Sequence, residues 1–126
     1  MNYKEAREYI KKASQYGIVP GLDNISNLCD KLGNPQNELE VHIAGTNGKG
    51  SVGAFAEQIL IESGKKVGRY VSPSVFDYLE QFRINAENMS EDRYAYYISR
   101  ISEVADKMTL HPTPFEMETA AAFLYF

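Results

Sequence analysis

The stretch Ala44-Gly45-Thr46-Asn47-Gly48-Lys49-Gly50-Ser51 decides how this chain is read. Before it stands Glu40-Val41-His42-Ile43-Ala44, short and β-branched, which predicts a strand running straight into glycines. After it, Val52, Phe55, Ala56, Ile59 and Leu60 recur on one helical face until Gly64 stops the helix. Glycines between a strand and a helix let successive backbone N–H groups turn toward an anion with no Cβ in the way. The helix start adds unpaired N–H groups and the positive end of its dipole. Lys49 brings a full charge for outer phosphates, and the hydroxyl of Thr46 or Ser51 can reach Mg²⁺. The loop therefore suits a polyphosphate such as ATP. Its spacing departs from the usual phosphate-loop pattern: the leading glycine position holds Ile43, and Gly50 separates Lys49 from Ser51. A bare glycine turn beside a solvated lysine is the simpler reading. It would not call for lysine, hydroxyl and amphipathic helix in this order.

Working outward, Val67–Val71 predicts a second strand and Phe82-Arg83-Ile84-Asn85 a short third. Strand, helix and strand at these lengths imply a right-handed parallel crossover. The expected fold class is therefore α/β: a P-loop nucleotide-binding domain with a parallel sheet. Upstream, Ala6, Tyr9, Ile10 and Ala13 share a helical face ending at Gly17. Ile25, Leu28, Cys29 and Leu32 share another, with Asp23 or Asn24 as cap and Gly33 and Pro35 as stop. Downstream, Ser90 opens a helix with Glu91 and Asp92 in its first turn and a buried stripe of Tyr94, Tyr97, Ile98, Ile101, Val104 and Met108. Leu110-His111-Pro112 is a loop, and no internal repeat or linker is evident.

The 126 residues suffice for one small domain. Lys plus Arg total 13 against 17 Asp plus Glu, a net charge of −4 that argues against nucleic acid or an anionic membrane as partner. One cysteine, Cys29, cannot close an internal disulfide, which points to a reducing cytoplasm. No apolar run approaches the ~20 residues that span a bilayer, and the first residues are too polar for a signal peptide.

Thr113-Pro114-Phe115-Glu116 opens a last helix with a Thr cap, Pro at its first position and Glu placed to complete a capping box. That helix runs through Ala120-Ala121-Ala122-Phe123-Leu124-Tyr125-Phe126 with no polar end. So apolar a tail, and so few strands, lead us to expect the N-terminal part of something larger, or a chain that docks on a partner.

Gly45-Thr46-Asn47-Gly48-Lys49 resembles the nucleotide loop of the Mur ligase superfamily. The longer string from His42 to Ser51 resembles its folate branch, the folylpolyglutamate and dihydrofolate synthases; the peptidoglycan ligases usually have Thr at the position of Gly50. Gly21-Leu22-Asp23-Asn24-Ile25, Leu32-Gly33-Asn34-Pro35-Gln36, Val67–Pro73, Arg83-Ile84-Asn85, Phe115-Glu116 and Thr119–Phe123 continue the likeness over nearly the whole chain. The resemblance implies a cytoplasmic ATP- and Mg²⁺-dependent ligase that adds L-glutamate to folate through an acyl phosphate, with dihydrofolate synthesis as a second activity to consider. It implies small-molecule substrates, no nucleic acid or membrane partner, and a monomer at full length. On this reading residues 1–126 are the N-terminal part of the ATP-binding ligase domain, inactive without the further strand, metal ligands and C-terminal domain that the family carries.

Carried over by position, Thr46, Asn47, Gly48, Lys49, Gly50 and Ser51 would hold the ATP phosphates, with Lys49 also catalytic. Ser72 would contribute to Mg²⁺ binding, although a Ser-Pro pair unaided reads as a turn. Thr113, Phe115 and Glu116 would contact the pteridine-bearing substrate, against the simpler reading of Glu116 as a helix cap only. Arg83 would pair with a folate carboxylate or stand as an exposed strand residue. Two departures fall in substrate-side loops: Ser74-Val75 follow Ser72-Pro73 where the family often has His-Leu, and Gln81 follows Glu80 where it often has Arg. His42, Cys29 and the many tyrosines read as packing, and His111 has no assigned role. A peptidoglycan ligase and a stand-alone nucleotide-binding or interaction module are the competing classes.

Overall fold

A computed structural model describes residues 1–38 and 41–126. They form two compact units, one of residues 1–38 with Glu91–Tyr125, the other of the described residues up to Ser90 with Phe126.

The first unit is helical: α1 (Tyr3–Ala13), α2 (Asp23–Lys31), α4 (Glu91–Ala105) and α5 (Pro114–Tyr125). Asn2 and Glu5 close a capping box on α1, with Glu5 N–H donating to Asn2 Oδ1 at 2.9 Å and Asn2 N–H to Glu5 Oε2 at 2.8 Å. A 3₁₀ turn and Gly17, at φ 74°, end it. α2 corrects one expectation. Its cap position is Leu22, with no side-chain cap bond, and Asn24 lies inside the first turn with its amide used elsewhere. The expected stripes of α1 and α4 form the core: Ala6, Ile10 and Ala13 face Tyr94, Ile98 and Ile101 across the unit, with Leu28 and Cys29 from α2 also buried. Burial pushes the Cys29 thiol above its ordinary range, with Asp30 adding to the shift, as suits an inert core cysteine. The apolar end of α5 is largely enclosed, because Met117 and Ala120–Ala122 are buried where α5 meets α4, α1 and α2. Alanines there let the helix backbones approach closely. Phe123–Phe126 are half-buried.

The second unit holds α3 (Lys49–Glu62) and the strands β1 (Gly68–Tyr70), β2 (Phe82–Ile84) and β3 (Glu87–Asn88). The sheet is antiparallel in the order β1-β2-β3, with Arg69 opposite Arg83 and Ile84 opposite Glu87. Asn85 and Ala86, both at positive φ, make the two-residue turn between β2 and β3. The second and third expected strands are thus present but pair antiparallel, and no parallel sheet forms among the described residues. Val41–Ala44 is not a strand, while Glu40 lies outside the described residues. A strand exists only through a ladder partner, and none among the described residues pairs with this segment. His42 is exposed rather than packed. The expected face of α3 is also uncovered, with Val52, Phe55 and Ile59 at 54%, 71% and 68% exposure. Among the described residues no helix is long and apolar enough to cross a membrane.

Candidate functional site

The glycine loop enters α3 with Gly48 as cap residue at φ 78° in the left-handed region, and no side chain caps the helix. Val52 N–H donates to Gly48 C=O at 2.9 Å, the first helical bond, so the preceding N–H groups are left for a ligand or water. Gly45 stands at φ 153°, a backbone state that side-chain-bearing residues rarely adopt. Lys49 arches back over the loop: Nζ donates to Gly45 C=O at 2.5 Å and lies 3.5 Å from Thr46 C=O. Residues 44–52 are exposed throughout. A cation, a helix N-terminus and two glycine turns therefore meet at one accessible place, and their combined field favours an anion of several charges.

Ser72 follows β1 and is exposed. The segment after it is organised by Glu80, whose carboxylate accepts from the backbone N–H of Val75, of Phe76 at 3.1 Å and of Asp77 at 3.4 Å. Asp77 and Glu80 also form a capping box on the short 3₁₀ helix Tyr78–Gln81. These backbone donors, Val75 first, hold the Glu80 carboxyl below its ordinary pKa of 4.5. The charged form is the one the folded segment favours. The contribution is therefore complete above the ordinary pKa and is lost as pH falls through the lower folded value. We expect the amide shifts of Val75, Phe76 and Asp77 to titrate together with a midpoint below 4.5. A midpoint at or above that value would mean the three bonds do not form. Gln81 is buried and donates Nε2–H to Tyr78 C=O at 3.0 Å, so it stabilises the turn.

Arg83, on β2, is half-buried. Its Nη2 donates to Ala86 C=O across the hairpin turn, and its Nη1 lies 3.8 Å from Glu57 Oε2. It is thus neither a free strand cation nor one aimed only at solvent. Glu57 and Arg69 escaped the sequence reading. Glu57 Oε2 lies 2.8 Å from Arg69 Nε, and Glu57 is only 5% exposed. No sequence signal marked them, because only the strand register sets Arg69 opposite Arg83, an arrangement that a counter-charge stabilises.

In the helical unit, Thr113 and Glu116 build the expected capping box. Glu116 N–H donates to Thr113 Oγ1 at 3.2 Å and Thr113 N–H to Glu116 Oε2 at 2.8 Å. Glu116 Oε2 also accepts from Thr113 Oγ1 at 3.0 Å and from Asn24 Nδ2 at 3.1 Å. One carboxylate oxygen thus serves three donors, and among the described residues no hydrogen bond reaches the other. Phe115 is 61% exposed. Two residues on, Glu118 is buried, accepts from Tyr94 Oη at 2.8 Å and lies 4.0 Å from Arg7. Burial raises its carboxyl pKa, partly offset by Tyr94 and Arg7. Thr46–Ser51, Ser72 and Arg83 therefore belong to one unit, and Thr113, Phe115 and Glu116 to the other.

No family model matches the chain. It is 36% identical over 129 residues to a dihydrofolate synthase/folylpolyglutamate synthase of Bacillus subtilis, an alignment covering 98% of this chain and 30% of that protein. The crystal structure of a Thermotoga maritima folylpolyglutamate synthase is 41% identical with a TM-score of 0.85, over 98% of this chain and 30% of that one. An FPGS–AMPPCP–folate complex is 30% identical with a TM-score of 0.90, over 100% of this chain and 32% of that one. The chain thus spans about a third of the length of the proteins it matches. Along nearly all of its own residues, the chain is similar to folylpolyglutamate and dihydrofolate synthases.

Proposed function

We propose that the chain is the N-terminal part of the ATP-binding domain of an amide ligase that adds L-glutamate to folate, acting within a polypeptide of its relatives' length. One observation carries this reading: an uncapped helix N-terminus with Lys49 folded over its loop, in a chain that matches folylpolyglutamate synthases from end to end. Thr46–Ser51 bind the nucleotide phosphates through backbone N–H groups, and Lys49 offsets charge developing on the transferring phosphoryl group. The hydroxyls of Thr46, Ser51 and Ser72 are exposed hard-oxygen donors, the kind Mg²⁺ accepts alongside water and phosphate. When bound, that ion supplies further charge neutralisation on the phosphates. Transfer of a phosphoryl group to a folate carboxylate replaces a hopeless oxide leaving group with phosphate, which the amine of glutamate then displaces. Thr113, Phe115 and Glu116 contact the pteridine-bearing substrate, and Arg83 is the candidate for a folate carboxylate. The enzyme works in the cytoplasm as a monomer. The names of the relatives favour neither a peptidoglycan ligase nor a stand-alone nucleotide module.

The test is a ligation assay on the full-length protein with ATP, Mg²⁺, tetrahydrofolate and labelled L-glutamate. We expect a folate one glutamate longer, with one ADP and one phosphate released per bond. ATP hydrolysis with no glutamylated product would overturn the reading.

A further inference from the structure

Glu57 is the only buried residue of α3, the helix that begins in the glycine loop. Val52, Phe55 and Ile59, the apolar side chains that would ordinarily pin such a helix, are exposed. Ala56, Leu60 and Ile61 are half-buried, and the fully buried contact that α3 makes with the sheet is charged. Glu57 Oε2 lies 2.8 Å from Arg69 Nε on β1 and 3.8 Å from Arg83 Nη1 on β2. The Arg69 contact is an ion pair without an aligned hydrogen bond, and among the described residues no hydrogen bond reaches the buried Glu57 Oε1. Arg69 and Arg83 are register partners across the two strands, so without the carboxylate two guanidinium groups would face each other. The stem of Arg69 also passes Gly53, where a Cβ would stand 3.8 Å from Arg69 Cδ, ordinary van der Waals contact. Glu57 follows Lys49 by eight residues, about 12 Å along the helix axis. The strand that carries Arg69 leads directly to Ser72.

We propose that Glu57 is a positioning residue for the nucleotide loop. Through Arg69 it fixes where α3, and with it the N–H groups around Lys49, sits against the strand leading to Ser72. This rests on the reading of the loop as the ATP site. An apolar contact would tolerate sliding, whereas a buried carboxylate held by two cations has one low-energy place. Loss of the charge lets the loop shift relative to the strand end, which affects the nucleotide before the folate.

The test uses the full-length enzyme with Glu57→Gln, Arg69→Lys and Lys49→Ala side by side, measuring melting temperature and the KM for ATP and folate separately. Glu57→Gln keeps shape and burial but removes the charge. Arg69→Lys keeps the charge but removes the Nε that meets Glu57. We expect each to raise the KM for ATP at least fivefold, well beyond any rise in the KM for folate, and to lower kcat; Arg69→Lys, which leaves the Glu57–Arg83 contact in place, should leave the KM for folate within twofold. The double variant Glu57→Gln/Arg69→Lys should be no worse than the worse single one, since both remove one contact. An unchanged KM for ATP in a folded variant, an equal rise in both KM values, or additive losses would overturn the proposal. If Glu57→Gln does not fold, Arg69→Lys decides by the same split. Lys49→Ala separates the two failures: full activity there overturns the nucleotide reading itself, whereas its loss beside intact Glu57→Gln and Arg69→Lys overturns only the positioning role.

Discussion

If the proposed function holds, replacing Lys49 by alanine in the full-length protein is expected to lower ATP-dependent glutamate addition by about 10²-fold or more, with the melting temperature moving by no more than a few degrees. The size follows from where the charge sits. A preorganised donor aimed at developing charge in a transition state is worth about 10²–10³ in rate. Lys49 is exposed at the first turn of α3, so truncation leaves no cavity. Its bonds to Gly45 C=O and Thr46 C=O are solvent-facing and contribute little to stability, but they hold the ammonium over the loop. Steady-state turnover and a thermal melt on the same preparation check both halves. Unchanged turnover would remove Lys49 from the phosphate site. A collapsed melt with lost turnover would make it a structural staple.

On the same reading, Glu116→Gln in the full-length protein is expected to raise the KM for folate at least about tenfold, the equivalent of ~1.4 kcal/mol, and to leave the apparent affinity for ATP in place. The carboxylate's division of labour explains why. Oε2 is taken by Thr113 N–H, Thr113 Oγ1 and Asn24 Nδ2. A glutamine can keep its oxygen at that position and preserve the capping box. Its amide nitrogen then occupies the place of Oε1, presenting donors where an aminopyrimidine edge needs an acceptor. As a cap alone Glu116 would contribute about 0.5–2 kcal/mol to stability and nothing specific to binding. As a substrate ligand, its loss leaves ring donors unpaired, about 1–3 kcal/mol in binding. Separate KM determinations for folate and ATP, with a melt as control, distinguish the two. A folate KM that stays put in a folded variant makes Glu116 a helix cap and nothing more.

Several features were decided by the sequence alone because their chemistry is local. The box between Thr113 and Glu116, the stop at Gly17 and the glycine-capped start of α3 each involve residues within one turn. The stripe Tyr94, Ile98 and Ile101 was equally legible, since its period faces a neighbour whatever that neighbour is. The direction of the sheet was not. Gly68–Tyr70 pairs with Phe82–Ile84 in antiparallel register, and that choice depends on which segment comes alongside, a relation no single stretch encodes. Val41–Ala44 has the composition of a strand and no ladder partner among the described residues. The apolar spacing of α3 was read correctly as a face, but only the tertiary structure shows that Val52, Phe55 and Ile59 lie open while Glu57 is buried against Arg69 and Arg83. A glutamate on a helix is ordinarily a solvated residue, and what holds this one buried is the meeting of two cations on adjacent strands. Periodicity reports which side of an element differs from the other; what finally lies against that side is set by long-range contacts, and at Glu57 those contacts are electrostatic.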